Sequence, residues 1–282
     1  MNGQGDIRYR PRGRIHGLRA GAHGGNLIGS QGTFRDKVPF MAYPDARRID
    51  VRATLRDPFE STIVRRFRQR SETQLVILAD LSASLLYEGY GRKIDLIKAF
   101  SVALARSATR IGDRCSLIGC GAEPDPSCFI PATRRLSLAE EVREKLLRAH
   151  YSGASAEGLV TAARRLSGSR KMVFVVSDYQ LDIDLIARLF AALARHDFVP
   201  VVIGDTSEDA RLPDWGLLEL LDLETSGRRL VFMRPSLKRR WLEAQSRHRQ
   251  MIGTLARGYG CTPVTITNEF DADDFSRQLA EG

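Results

Sequence analysis

Between residues 71 and 282, short apolar runs alternate with stretches in which apolar residues return every third or fourth position. The runs predict strands at Leu75–Ala79, Cys115–Ile118, Met172–Val176 and Val199–Ile203, with a last strand over Thr262–Thr267. An unbroken run such as Leu75–Ala79 suits a strand covered on both faces. The helical spacing predicts a helix over Lys93–Arg110, with Ile94, Ile97, Phe100, Leu104, Ala105 and Ala108 apolar and Gly112 ending it. Ser137 and Glu140 form a capping-box pattern before a helix over Leu138–Ala149. Further helices are predicted over Ala156–Leu166, closed by Gly168, from a cap at Asp182 through Ala194, from Pro235 and Ser236 to Gly258, and over Phe270–Leu279 with Asp271 as its cap. Phe129 and Ile130 read as a short edge strand, and Leu217–Leu223 with Arg229–Met233 as a hairpin around Thr225-Ser226-Gly227. Strands alternating with helices predict an α/β fold: a mainly parallel sheet flanked by helices.

The first 70 residues do not follow this pattern. Residues 1–35 are rich in Gly and Arg, and Gly13, Gly17, Gly21, Gly24, Gly25, Gly29 and Gly32 specify no regular element. Pro39, Pro44 and Pro58 interrupt any long helix over residues 36–60. Ile63–Arg70 alternates as a strand with an exposed face. The expected organisation is a basic N-terminal extension, 1–70, and an α/β domain, 71–282.

Charge follows the same division. The chain has 282 residues, 43% of them hydrophobic, and a formal charge of +9. Residues 1–70 hold 15 basic and 6 acidic side chains, so the whole surplus lies there and the remainder is neutral. Arg47, Arg48, Arg65, Arg66, Arg68 and Arg70 read either as a docking surface for an acidic partner or as solvated edge and turn with local ion pairs. No nucleic-acid recognition module accompanies them. Cys115, Cys120, Cys128 and Cys261 have no Cys-x-x-Cys spacing, and Cys115 is expected to face the core. No run is long enough to span a membrane, and no apolar signal core opens the chain, so a cytoplasmic location is expected.

Candidate chemistry lies where the strands end. Leu75–Ala79 gives way to Asp80, Ser82 and Ser84, and Met172–Val176 gives way to Asp178. In open α/β sheets ligands bind beyond the carboxyl ends of the strands. If these two strands are neighbours, two carboxylates and two hydroxyls share one crevice. Paired carboxylates call for a proton or a cation between them, and oxygen-only ligands suit Mg²⁺, with positions left for water or a partner's carboxylate. The alternative for Asp80, the serines and Asp178 is helix capping and loop structure. A serine nucleophile lacks support: there is no Gly-x-Ser-x-Gly elbow, and no histidine stands in evident relation to Ser82 or Ser84. His150 and His196 are placed near helix C-termini. Neither a phosphate-binding nor a dinucleotide-binding glycine loop follows the first strand.

These residues resemble the DUF58 family, whose core is similar to a von Willebrand factor A domain. Gly29, Gly32 and Phe34, then Tyr43-Pro44-Asp45 with Arg48-Ile49-Asp50, resemble the family's N-terminal motif, with Val51 standing where it has Trp. Asp80-x-Ser82-x-Ser84 matches the A domain's metal-dependent adhesion site (MIDAS), and Asp178 in Val176-Ser177-Asp178 matches that site's later aspartate. The family's intermediate threonine falls at Ala154 in the turn Ser152-Gly153-Ala154-Ser155, with Ser155 one position late. The resemblance therefore implies a site that uses Ser155, holds Mg²⁺ weakly, or keeps its shape without metal. It also implies a non-enzymatic adaptor or co-chaperone partnering a MoxR-type AAA+ ATPase in maturing or remodelling a target enzyme or complex. Methanol dehydrogenase maturation is one such setting. The competing expectations are a metal-dependent phosphoryl hydrolase or nuclease, and a structural A-like subunit with a vestigial metal site.

Overall fold

The computed structural model describes residues 5–12, 20–71, 73–87, 89–153, 155–207, 212–221 and 228–281, apart from the side chains of 20–33, 68–71, 218–221, 228 and 229. By internal packing the chain divides into two compact units, Pro11–Thr73, and residues up to Arg10 together with Gln74–Gly282.

The smaller unit holds strand β1 (Ala20–Pro39), the single-turn helix α1 (Val51–Thr54) and strand β2 (Ile63–Ser71). β1 and β2 pair antiparallel, from Pro39 opposite Ile63 to Ala20 opposite Ser71. The expectation of no regular element before residue 36 fails from Ala20 onward. Ladder hydrogen bonds come from the backbone, so the glycines enter the strand despite adding no side-chain preference. Their cost shows as broken register, with shifts between Gly24 and Ile28 and between Ile28 and Thr33.

The larger unit is the expected α/β sheet. Its strands are β3 (Gln74–Asp80), β4 (Arg114–Cys120), β5 (Pro124–Thr133), β6 (Met172–Ser177), β7 (Asp197–Gly204) and, after the antiparallel hairpin β8 (Gly216–Leu221) and β9 (Arg228–Met233), β10 (Val264–Thr267). The order is β10-β7-β6-β3-β4-β5, parallel throughout except for β5, which pairs antiparallel with β4 at one edge. The edge strand expected only around Phe129 and Ile130 thus runs the length of β5. The hairpin turn at Thr225-Ser226-Gly227 lies outside the described residues.

Helices α2 (Lys93–Ile111), α3 (Leu138–Arg148), α4 (Glu157–Arg165), α5 (Ile183–Leu193), α6 (Pro235–Gly258) and α7 (Ala272–Glu281) cover the sheet. β3 explains why an unbroken apolar run was needed. Leu75, Ile77 and Ala79 belong to one core, with residues of α2, α3 and α7, while Val76 and Leu78 belong to the other, with residues of α4, α5 and α6. Phe100 docks α2: it is sealed among Phe174, Phe270 and Phe275, with ring centroids 5.8, 5.9 and 4.8 Å away. Burying such a ring contributes about 1.5–3 kcal/mol, and it sets where the first residue of α2, Lys93, must lie. Gly112, at φ +84°, ends that helix in the left-handed conformation.

Two of the expected caps form: Asp182 accepts from the Asp184 amide, and Asp271 from the amides of Asp273 and Asp274. The capping box does not. Ser137 has helical backbone angles and no side-chain cap bond, and its carbonyl instead accepts from the Glu140 and Glu141 amides.

Candidate metal centre

The sheet changes direction between β3 and β6. From β3 the chain builds outward through β4 to β5, then returns to place β6 on the other side of β3. That reversal opens a crevice at the carboxyl ends of the two central strands. Ala79 lies opposite Val176, so Asp80 comes level with Ser177 and Asp178 follows beside it.

Four predicted ligands meet there. The Ser82 amide donates to Asp80 Oδ1 at 2.8 Å, an Asx turn that folds the chain back over the strand end. The Ser82 and Ser84 hydroxyls lie 3.0 Å apart, and Ser84 Oγ donates to Asp178 Oδ1 at 3.2 Å. Asp80 and Ser82 are fully buried, and the Asp178 side chain is 1% exposed. Burial is the main force on Asp80 and pushes its carboxyl up to about 6; the nearby charge of Asp178 adds to this and the Ser177 hydroxyl opposes it.

Ser155 is placed otherwise. Its hydroxyl accepts from the Glu157 amide at 3.3 Å, at the start of α4. Ala154 lies outside the described residues. The turn before it is nevertheless pinned to the site loop: the Ala83 amide donates to the Gly153 carbonyl at 3.2 Å and the Ser152 amide to the Leu81 carbonyl at 3.0 Å.

Two site residues escaped the sequence reading. Ser177 Oγ donates to Asp80 Oδ2 at 2.6 Å and accepts from the Tyr179 amide at 2.9 Å. Its signal was a hydroxyl ending an otherwise apolar strand. Lys93 Nζ lies 2.9 Å from Asp178 Oδ2 and 5.7 Å from the centre of the Tyr87 ring, and its side chain is 2% exposed. Its signal was a lysine in the first turn of a helix, where the helix dipole disfavours positive charge.

A cleft of about 340 Å³ adjoins Asp178 and includes Gln180, Thr206, Gln245, His248 and Arg249 in its lining. His248 Nε2 lies 2.8 Å from the Tyr179 carbonyl. Helix α6 contributes three of these residues and is strongly basic, with Lys238, Arg239, Arg240, Arg247, Arg249 and Arg257 against the single acid Glu243. The assignment of all surplus charge to residues 1–70 hid this local concentration, because acids elsewhere balance it.

The N-terminal arginines are largely engaged within their own unit. Arg65 pairs with Asp50 at 2.9 Å, and Arg66 grips Asp36 through two bonds of 2.7 and 2.6 Å. Arg48 pairs with Asp45 at 3.0 Å and stacks over Phe67. Arg47 is exposed, and its backbone amide donates to Asp45. The side chains of Arg68 and Arg70 lie outside the described ones.

Elsewhere, all four cysteines are free and buried, and burial pushes the Cys115 and Cys128 thiols up to about 12. His196 does not cap a carbonyl of its own helix. It bridges the Lys171 amide, at 3.4 Å from Nδ1, and the Leu166 carbonyl, at 3.3 Å from Nε2. No helix among the described residues is long and apolar enough to cross a membrane.

A family model described as "Protein of unknown function DUF58" matches residues 39–251. An uncharacterized protein of Mycobacterium tuberculosis is 25% identical over 264 residues, covering 92% of this chain and 81% of that protein. A Paracoccus denitrificans protein, described as an uncharacterized protein in the moxR 3′ region, is 35% identical over 108 residues, or 37% of this chain and 99% of that one. Among solved structures, the conserved hypothetical protein BatB from Bacteroides thetaiotaomicron aligns with a TM-score of 0.45 at 13% identity, over 74% of this chain and 98% of that chain.

Proposed function

This chain belongs to the DUF58 family, and we propose that it is a non-enzymatic adaptor or co-chaperone that grips an acidic side chain of a MoxR-type AAA+ ATPase, or of that ATPase's client, through a divalent cation such as Mg²⁺. The observation that carries this reading is the convergence of Asp80, Ser82 and Ser84 with Asp178, 94 residues beyond Ser84 in the chain, at the sheet's reversal point. Carboxylate and hydroxyl oxygens are the ligands a hard cation takes, and four protein side chains leave coordination positions for water and for a partner's carboxylate. Asp80, Ser82, Ser84 and Asp178 would hold the ion; Ser155, occupied at the start of α4, would stand outside the ligand set.

The moxR-region description of the Paracoccus relative supports the choice of partner. The basic helix α6 beside the cleft supports an acidic contact, since complementary charge chiefly speeds and orients association. The arginines Arg48, Arg65 and Arg66 support it less, because each already holds an acid of its own unit.

The test is binding of the full chain to the ATPase with Mg²⁺ and with a chelator. Asp80→Ala and chelation should each weaken binding at least about tenfold, which is about 1.4 kcal/mol. Undiminished binding by the folded Asp80→Ala protein would remove the cation bridge from this account. A metal-dependent hydrolase is the second reading, favoured by His248 and Arg249 in the cleft next to Asp178. Phosphate release from a model phosphodiester that depends on Mg²⁺ and is lost in Asp80→Ala would establish it instead.

A further inference from the structure

Taking the strand-tip oxygens as a cation site, the reading on which this step rests, we infer that the Lys93 ammonium is the site's built-in counter-ion and that a divalent cation binds only by displacing it from Asp178. The chain therefore sets its own cation affinity through one lysine.

Both oxygens of Asp178 have donors. Oδ1 accepts from Ser84 Oγ and from the Gln180 amide, each at 3.2 Å, and Oδ2 holds Lys93 Nζ at 2.9 Å. The pair is sealed, with the two side chains 2% and 1% exposed. A divalent ion needs a lone pair of that carboxylate. It cannot share Oδ2 with an ammonium at close range, because two like charges without water between them repel strongly.

The charge of the donor set agrees. Asp80 and Asp178 are the acids at the centre, and Lys93 offsets one of them. Among the described residues no group of three or more His, Cys, Asp or Glu side chains is placed to hold a metal ion. The donors fit a hard cation in kind, being all oxygen, but they provide little net charge to retain one. Lys93 is also well suited to leave. A lysine ammonium is a point charge on a flexible four-carbon stem, and here the face of the Tyr87 ring stands 5.7 Å away as a second, weaker resting place for the charge.

The position of Lys93 is not incidental to the helix. A cation in the first turn of α2 opposes the helix dipole, and burial there demands a partner. Asp178 is that partner, 85 residues away in sequence.

The experiment follows the Lys93 ammonium itself in the full-length protein. With ¹⁵N-labelled lysine, a sealed, ion-paired ammonium exchanges slowly enough to be seen by NMR. Titration with Mg²⁺ should shift or broaden the Lys93 signal with the same saturation curve that calorimetry gives for Mg²⁺ binding. Lys93→Met, which keeps the length and removes the charge, should bind Mg²⁺ about tenfold more tightly or better. A Lys93 signal unchanged at saturating Mg²⁺ overturns the inference. So does a folded Lys93→Met protein that binds Mg²⁺ no more tightly than the parent, and so does failure of both proteins to bind Mg²⁺ at millimolar concentration. Should Lys93→Met not fold, the titration of the parent decides alone. Capture of the ATPase is scored separately: Lys93 displaced by Mg²⁺ without any ATPase binding would sink the adaptor reading and leave this one standing.

Discussion

The Ser177 hydroxyl donates to the Asp80 carboxylate at 2.6 Å, joining the last residues of two neighbouring parallel strands. It also accepts from the Tyr179 amide, so one hydroxyl both orients the first acid of the site and turns the chain that carries the second. Ser177→Ala leaves a buried carboxylate oxygen and a buried amide without this partner. The expected loss is about 2 kcal/mol, measured as a lower midpoint in urea with an unchanged slope. A loss below about 0.5 kcal/mol would show that water or a neighbour replaces the hydroxyl.

Asp80 carries a pH signature. Its carboxyl is raised to about 6 in the fold from 3.8, so the folded state holds the proton more tightly than the unfolded chain. The sign follows: Asp80's own contribution to stability is most favourable below pH 4, declines as pH rises through the interval up to about 6, and bears the full cost of ionising a buried acid above it. Asp80→Asn removes that cost. Without divalent cations it should stabilise the protein at pH 8 by up to about 3 kcal/mol, with the gain gone by pH 4. The same substitution with saturating Mg²⁺ should be destabilising, because it removes a ligand of the proposed cation site. Chemical denaturation at both pH values, with and without Mg²⁺, checks all three statements.

Ser155 separates capping from coordination. Its hydroxyl accepts from the Glu157 amide, so Ser155→Ala should cost about 1 kcal/mol of stability and leave Mg²⁺ affinity unaltered by calorimetry. A several-fold loss of Mg²⁺ affinity would return Ser155 to the ligand set.

Gly89 is held against Asp205, whose carboxylate accepts from the Tyr90, Gly91 and Ser207 amides at 2.8, 3.2 and 2.7 Å. A Cβ at Gly89 would overlap both the Asp205 carboxylate and the Ser207 hydroxyl. Gly89→Ala should therefore cost about 1–3 kcal/mol, read as a lower thermal midpoint. An unchanged midpoint would mean that the loop shifts freely.

His196 provides an opposite pH dependence. Burial lowers its imidazole below the ordinary value of 6.5, and its two bonds suit a neutral ring with the proton on Nε2. The unfolded chain takes up that proton first as pH falls, so this contribution to stability is complete above pH 6.5 and declines below it. His196→Gln should lose less stability than the parent between pH 7.5 and 5.5. Equal losses would refute the assignment.

The amino-acid order alone determined the sheet and most of its helices. Apolar runs such as Leu75–Ala79 and Met172–Val176 bury both faces of a strand, and such runs between helical patterns admit few other packings. Asp80, Ser82, Ser84 and Asp178 could be picked out for the same local reason, since polar oxygens appear where each run stops. The glycine-rich strand β1 could not, because its pairing draws on backbone groups that every residue possesses. Nor could the fate of the charges. Whether Arg65 meets a partner or Asp50, and whether the first lysine of α2 meets water or Asp178, depends on distances across the fold. Only tertiary structure decides those, because docking α2 through Phe100 seals Lys93 against a carboxylate far along the chain.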